Sequence, residues 1–158
     1  MRRSSNIGGL FLLLMLFIGC KYKGIYEQSF DIPQGEWGKG RIVRLDIPVT
    51  DTINGHNIFI EIRNTNDYPY SNLFLFITTY SPNGANKRDT IEIPLADEKG
   101  KWLGRGFGGI LSNEIKFKSN VRFPVSGNYK IEVIQGMRDE VLKGIMDVGI
   151  RVERIAPL

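Results

Sequence analysis

The stretch Ile58-Phe59-Ile60-Glu61-Ile62-Arg63 decides the fold class of this chain. Its three isoleucines recur at every second position, and Glu61 and Arg63 occupy alternate positions between and after them. A period of two places the isoleucines on one face of an extended strand and the charged residues on the other. The stretch therefore predicts a β-strand that buries one side.

The same alternation recurs in three other segments, which are 43–47, 129–133 and 148–153. Segment 73–77 is apolar on both faces and predicts an inner strand, and segment 90–94 predicts a short strand that Pro94 limits. Turn sequences separate the segments, and Asn54-Gly55 predicts a tight hairpin. Several short strands at such spacings predict an all-β fold, an antiparallel β-sandwich of the jelly-roll kind.

One short helical turn is predicted over residues 137–143. Met137, Val141 and Leu142 fall at helical spacing there, and glycines bracket the segment. We expect this turn to cover one end of the sandwich.

The N-terminus has the pattern of a secreted lipoprotein. Arg2 and Arg3 precede an apolar run over residues 7–18, which is shorter than the about 20 residues that span a bilayer. The run ends in Gly19-Cys20, which resembles a bacterial lipobox, where a peptidase cuts before a lipid-modified cysteine. This predicts a signal peptide over 1–19, a lipidated tether over 20–24 and a single β-sandwich domain over 25–158. The alternative is an uncleaved anchor with an incidental cysteine.

Cleavage before Cys20 changes what the composition implies. It leaves 139 residues, which suits one domain, and removing Arg2 and Arg3 lowers the formal net charge from +4 to +2. No dense Lys/Arg run with interleaved aromatic residues is present, which argues against a nucleic-acid partner. Two or three acyl chains, palmitate among them, would anchor the protein durably, and the lipidated Cys20 could serve neither as nucleophile nor as metal ligand.

Residues 100–110 form a glycine-rich segment around Trp102, Arg105 and Phe107. Its spacing superficially matches a dinucleotide-binding glycine motif, but no βαβ unit surrounds it, and so that interpretation is rejected. Two interpretations stay open. The segment is either a tightly packed strand and loop or an exposed contact loop.

Catalytic residues are scarce. His56 is the only histidine, and its place beside Asn54-Gly55 predicts an exposed loop residue. The lone histidine and the blocked cysteine exclude a His/Cys metal site, and no nucleophile elbow is present. The acidic pairs Asp97-Glu98 and Asp139-Glu140 are expected to be solvated. We expect no enzyme activity, cofactor or metal, although a cleft with converging acids would favour an enzyme.

Aromatic residues in or beside loops are better candidates for a partner contact, because Tyr, Trp and Arg are the usual anchors of protein interfaces. The candidate contact residues are Trp37, Tyr68, Tyr70, Trp102, Arg105 and Phe107. The alternative is that Trp37 and Trp102 cap the core, since large rings dominate core burial.

Several motifs together resemble one family. In chain order they include Phe30 with Trp37, Ile60-Glu61-Ile62-Arg63-Asn64, Tyr68-Pro69-Tyr70-Ser71-Asn72-Leu73, Gly100-Lys101-Trp102-Leu103-Gly104, and Gln135-Gly136-Met137-Arg138 leading to Asp147-Val148-Gly149-Ile150-Arg151. With the lipobox at Cys20, this ordered set resembles the GldH family of gliding-motility lipoproteins.

The resemblance implies a non-catalytic cell-envelope lipoprotein that associates with other gliding-motility envelope proteins, some of them tied to type IX secretion. It implies no cofactor. Lys21 in place of aspartate after Cys20 indicates the outer membrane, and the absence of an acidic cluster in Lys21-Tyr22-Lys23 indicates its periplasmic face.

The alternative function is a lipid-anchored glycan-binding β-sandwich. That alternative rests on analogy of fold and requires two or three coplanar exposed aromatic rings on one face.

Overall fold

The computed structural model describes residues 24–155. The predicted signal peptide, Cys20 and residues 21–23 therefore lie outside the described residues, as do residues 156–158. The eleven strands are β1 Gly24–Asp31, β2 Glu36–Gly38, β3 Val43–Val49, β4 His56–Thr65, β5 Asn72–Tyr80, β6 Asn86–Pro94, β7 Arg105–Phe107, β8 Ile110–Val121, β9 Gly127–Gln135, β10 Val141–Lys143 and β11 Ile145–Arg154. A single-turn 3-10 helix over Pro33–Gly35 precedes β2.

The strands form two antiparallel sheets that pack as a sandwich, together with a small strand pair. The five-stranded sheet has the order β1-β11-β4-β8-β7, and the four-stranded sheet has the order β3-β9-β5-β6. Strand β10 pairs with β2 beside them. The predicted all-β antiparallel sandwich is confirmed, and β5, which contains the segment 73–77, is an inner strand as expected.

The alternating segments supply the core. Ile58, Ile60 and Ile62 of β4 are buried, and every second residue of β3, β9 and β11 is buried in the same way. Burying a large aliphatic side chain stabilises the fold by about 1.5–3 kcal/mol. The period-two pattern thus marks the inward faces of both sheets.

The sandwich has two distinct ends. The tether end is where β1 begins at Gly24, beside loop 50–55 and loop 122–126. The hairpin end lies opposite and carries the turn between β7 and β8, where Phe107 pairs with Ile110 and Ile110 pairs with Thr65. Strand β8 runs from the hairpin end to the tether end and has 12 residues, so the two ends are about 35 Å apart.

The helical turn expected over residues 137–143 is wrong. Residues Val141–Lys143 form β10, in which Leu142 is fully buried opposite Trp37 while Val141 and Lys143 are exposed. That burial is the period-two pattern of a strand. The short helical turn of the structure is at Pro33–Gly35 instead.

The hairpin expected at Asn54-Gly55 is also wrong. Strand β3 belongs to the four-stranded sheet and β4 to the five-stranded sheet, so loop 50–55 crosses from one sheet to the other. The chain bends at Ile53 and Asn54, and the loop connects the two layers of the sandwich.

Candidate functional site

Strand β8 has an open edge. On one side it pairs with β4 from Ile110 to Val121, but on the other side it pairs with β7 only from Ile110 to Ser112. From residue 113 to residue 121, no strand among the described residues lies against this second edge. Such an edge presents main-chain N–H and C=O groups that another extended segment can pair with.

A cleft of about 1110 Å³ crosses the outer face of the five-stranded sheet, from Glu27 and Ser29 of β1 to Arg105 of β7, and reaches this edge. Side chains from both faces of β8 line it, with Glu114 and Lys116 from the outer face and Asn113 and Ile115 from the face turned towards the other sheet. Because residues from both faces of β8 line the cleft, it extends from the outer face of the sheet around the open edge of this strand.

Charged side chains line the cleft, and Arg151 of β11 binds two of them, Glu61 and Glu114. Its guanidinium lies 2.9 Å from a carboxylate oxygen of Glu61 and 2.5 Å from one of Glu114, and it also pairs with Glu153. Burial lowers the pKa of Arg151, but its hydrogen bonds to Glu61 and Glu114 outweigh that effect and raise the pKa above its usual value. Arg151 thus joins Glu61 and Glu114, which face each other across β4 and β8.

A second ion pair lies nearer the hairpin end. Arg63 of β4 pairs with Asp147 of β11, whose side chain is only 4% exposed. Burial raises the pKa of the Asp147 carboxyl, and the nearby Arg63 partly counters this. Burial likewise raises the pKa of Glu61, which the hydrogen bond from Arg151 partly counters. The cleft does contain converging acids, and Glu61, Glu114 and Asp147 are each paired with an arginine.

Two cations along the cleft have no carboxylate partner among residues 24–155. Arg105 of β7 is exposed, and Lys116 of β8 lies 5.7 Å from the ring centre of Phe59. Further along the edge, Lys118 is paired with Asp89 of β6 across the side of the sandwich. The free positive charges therefore lie beside β7 and the middle of β8, where an added strand would pass.

The glycine-rich segment builds the hairpin that limits the cleft. A Cβ atom at Gly106 would lie 1.8 Å from the carbonyl oxygen of Ile110, so β7 can approach β8 only with glycine there. Gly108 and Gly109 have φ values of +68° and +86°, which suit a two-residue hairpin turn. Phe107 is 98% exposed at this turn. The segment is tightly packed at Gly106 and carries an exposed side chain at Phe107, and the interpretation as a contact loop stays a prediction.

The remaining aromatic candidates differ in how deeply their rings are buried. Trp37 is fully buried and its indole N–H donates to the carbonyl of Arg41, so it caps the core and cannot contact a partner in this conformation. Tyr68 is 3% exposed, and its hydroxyl donates to the carbonyl of Asn72. Burial raises the pKa of Tyr68. The burial of Trp37 and Tyr68 argues against a partner contact at these two positions.

Tyr70 and Trp102 are half-buried around Tyr68. The ring of Tyr68 makes angles of 72° with Tyr70 and 52° with Trp102, so these three rings do not form a coplanar platform. The Tyr70 hydroxyl donates to Asp139, and this hydrogen bond raises the pKa of Tyr70. Tyr70 and Trp102 belong to the packing of the hairpin end, while Arg105 and Phe107 are free of it.

His56 is the clearest error of the sequence prediction. It is fully buried at the start of β4, with its ring centre 5.2 Å from that of Phe123, and neither ring nitrogen has a hydrogen-bond partner. The adjacent Asn54-Gly55 turn suggested exposure, but His56 is already within the sheet. Within residues 24–155, no group of three or more His, Cys, Asp or Glu side chains could hold a metal ion.

The sequence prediction also missed β8 itself. A signal was present, because Ile115 and Phe117 alternate with Lys116 and Lys118. Period-two alternation predicts a strand there, although it says nothing about which strands would flank it.

Comparisons with known proteins bear on the whole chain. Among the described residues, no helix is long and apolar enough to cross a bilayer. A model of the GldH lipoprotein family matches residues 24–152. A protein named gliding motility lipoprotein GldH homolog from Christiangramia forsetii is 36% identical, covering 98% of both chains. Gliding motility lipoprotein GldH from Flavobacterium johnsoniae is 34% identical, covering 96% of this chain and 98% of the relative.

Among solved structures, the carbohydrate-binding module CBM28, specific for non-crystalline cellulose, aligns with a TM-score of 0.47 and 15% identity. That alignment covers 82% of this chain and 73% of the module, and it is too distant to bear on function. The two relatives cover nearly the whole chain, and the ordered motifs from Phe30 to Arg151 lie within the residues that the family model matches. The chain belongs to the GldH lipoprotein family.

Proposed function

We propose that this chain is a lipid-anchored, non-catalytic component of the gliding-motility apparatus that binds an extended segment of another envelope protein. The open edge of β8, which the cleft reaches at residues 112–116, is the observation that carries the proposal. Pairing a peptide with an exposed strand edge is a common mode of recognition, in which main-chain hydrogen bonds supply affinity and side-chain pockets supply specificity.

The cleft defines the chemistry of the added strand. It would continue the line of β7 and pair with residues 113–121. One side would face Ile115 and Phe117, which are half-buried and pack against the core, and so apolar residues suit that side. The other side would face Arg105 and Lys116, and so carboxylates suit it. Lysines on an edge strand oppose pairing with further copies of the same chain, which favours a partner with acidic residues.

The relatives support the cellular role, because both are named gliding motility lipoproteins. We propose that Cys20 carries the lipid and that the domain faces the periplasm from the outer membrane, as Lys21-Tyr22-Lys23 suggests. Membrane fractionation of cells that carry the wild-type chain or the Cys20→Ala variant tests this anchor. The wild-type chain is expected with the outer membrane, and the variant with the soluble envelope fraction.

A double charge reversal tests the docking site. Arg105→Glu with Lys116→Glu would repel an acidic strand, and we expect cells that carry only this variant to stop spreading over surfaces. Both side chains are exposed and lack ion-pair partners among the described residues, so the fold should be unaffected. Thermal melting and membrane fractionation of the variant verify this.

The matched control is Lys130→Glu, an exposed position on the four-stranded sheet. We expect normal gliding with this control. Normal gliding with the double variant would refute docking at the β8 edge. A stronger confirmation is a suppressor, since acidic-to-basic changes in an extended segment of another envelope protein should restore gliding to the double variant.

A further inference from the structure

The path of the chain brings the tether end close to the membrane. Strand β1 begins at Gly24, where it pairs with Glu153, and Cys20 lies only four residues earlier. Four residues reach at most about 14 Å when fully extended. If Cys20 carries the lipid, as proposed above, the tether end must lie within that distance of the bilayer surface.

An apolar side chain projects from this end. Ile53 is 81% exposed in loop 50–55, and it is among the most exposed large apolar residues of the described chain. Ile155 is 37% exposed and lies beside Gly55 of the same loop, since its Cδ1 would be 3.4 Å from a Cβ placed there. Two exposed isoleucines therefore lie at the end where the tether leaves the domain.

The loop that carries Ile53 is held in place. The main-chain N–H groups of Ile53 and Asn54 both donate to Oδ1 of Asp51 at 3.0 Å, and the Asn54 side-chain amide donates to Oδ2 at 2.7 Å. At the other end of the loop, the N–H of Ile155 donates to the carbonyl of Gly55 at 2.9 Å. The loop thus presents Ile53 in a defined position rather than folding it onto the protein.

Basic side chains lie at the same end. Arg154 pairs in register with His56, at the start of β4, and Arg122 follows Val121, which also pairs with His56. Both arginines are exposed, and neither has an ion-pair partner among residues 24–155. The nearby Asp51 carboxylate is occupied by the hydrogen bonds of its own loop. Arginines around an exposed apolar side chain are suited to the phosphates of lipid headgroups.

We propose that the tether end is a membrane-contact surface in which Ile53 inserts into the bilayer interface, flanked by Arg122 and Arg154. The inference rests on the proposed lipidation of Cys20, whose fatty acyl chains recruit the domain, and it adds the orientation of the bound domain. The hairpin end, with Phe107, then points away from the membrane. The open edge of β8 runs along the side of the domain between the tether end and the hairpin end.

Site-specific fluorescence tests this orientation. Once Cys20 is lipidated, the mature protein has no free thiol, so Ile53→Cys and Phe107→Cys can each be labelled with a polarity-sensitive dye. The lipidated full-length protein is incorporated into vesicles of phosphatidylethanolamine and phosphatidylglycerol that contain nitroxide lipids. The dye at position 53 is expected to lose about half of its fluorescence, since interfacial groups lie about 5–10 Å into the headgroup boundary. The dye at position 107 is expected to lose none.

Flotation of the same samples separates this inference from the anchor on which it rests. Protein that floats with vesicles but shows no quenching at position 53 would overturn membrane contact by loop 50–55 and leave the anchor intact. Quenching at both positions would mean that the domain lies on its side, which also overturns the orientation. If the wild-type protein floats no better than Cys20→Ala, the anchor fails and the proposed orientation fails with it.

Discussion

Replacing Arg151 with methionine tests whether its ion pairs with Glu61 and Glu114 stabilise the five-stranded sheet. Methionine keeps much of the side-chain volume but removes the charge, and it leaves Glu61 and Glu114 facing each other across β4 and β8 without a cation. Like charges directly opposite on neighbouring strands are destabilising. The variant also loses the contact of the guanidinium with the ring of Phe59, 4.5 Å from its centre.

The expected loss in free energy of unfolding for Arg151→Met lies between the loss for an exposed ion pair and the loss for a buried one. Removing one partner of a buried ion pair costs about 3–5 kcal/mol, whereas an exposed pair contributes about 0.2–1 kcal/mol. The Arg151 side chain is 12% exposed, but Glu114 is 55% exposed and solvent screens it. We therefore expect the free energy of unfolding to fall by about 2 kcal/mol at pH 7.

The pH dependence of the stability loss in Arg151→Met shows whether the unpaired carboxylate of Glu61 causes it. Without Arg151, the folded-state pKa of Glu61 rises further above its ordinary value of 4.5, because burial already raises it and the hydrogen bond that lowered it is gone. The folded variant then binds a proton more tightly than the unfolded chain does. Its deficit in stability should therefore be largest at neutral pH and should shrink as the pH falls through the pKa of Glu61.

Urea denaturation of wild type and variant at neutral and mildly acidic pH measures this. Lys116→Met is the matched control, because it removes a cation from the same sheet face without breaking an ion pair, and it should change stability by about 0.5 kcal/mol or less. A loss for Arg151→Met no larger than that of the control would refute the reasoning. A large loss that is the same at both pH values would show that packing, not charge, is the cause.

Two further predictions concern the loop and the core. The hydrogen bonds from Asn54 hold the pKa of Asp51 at about 2, so the order of loop 50–55 that depends on this carboxylate should persist from neutral pH to about pH 3.8 and be lost as the pH falls towards 2. Nuclear magnetic resonance of the Ile53 amide measures this, and Asp51→Asn should abolish the acid transition. Leu142→Ala should lower the free energy of unfolding by about 2–5 kcal/mol, because this side chain is fully buried. Phe107→Ala should lower the free energy of unfolding by about 0.5 kcal/mol or less, because the ring is 98% exposed. Denaturation curves of the two variants measure both losses, and equal losses would contradict the burial assigned to Leu142 and Phe107.

The sandwich was predictable because long strands carry their own pattern. Ile58, Ile60 and Ile62 alternate over a segment in which only the period-two pattern fits, and the structure buries all three. Segment 137–143 lacked that advantage, because three apolar residues fit a helix as well as a strand. The deciding contact is between Leu142 and Trp37, which are far apart in the sequence.

The candidate site was less predictable because it depends on which strands are neighbours. The exposure of Phe107 and the close packing of Gly106 agree with the two interpretations of the glycine-rich segment. The open edge of β8 arises because β7 has only three residues, a fact of topology that no local pattern contains. The burial of His56 has a similar origin, since its neighbour Phe123 comes from a distant loop.

Ile53 and Arg105 lie on different parts of the molecule, although the edge proposed for docking extends to Val121, directly before Arg122. Loop 50–55 lies at the tether end, whereas Arg105 lies beside β8 near the hairpin end, and the two ends are about 35 Å apart. Perturbations that far apart with no shared contacts are additive in free energy. Membrane contact can therefore orient the domain without occupying the cleft, and a partner strand can enter from the hairpin end without displacing the domain from the bilayer. An anchored domain with its hairpin end pointing away from the membrane has a fixed orientation before it binds a partner. It therefore loses less orientational freedom on binding than a freely tumbling domain, which favours docking of an envelope partner.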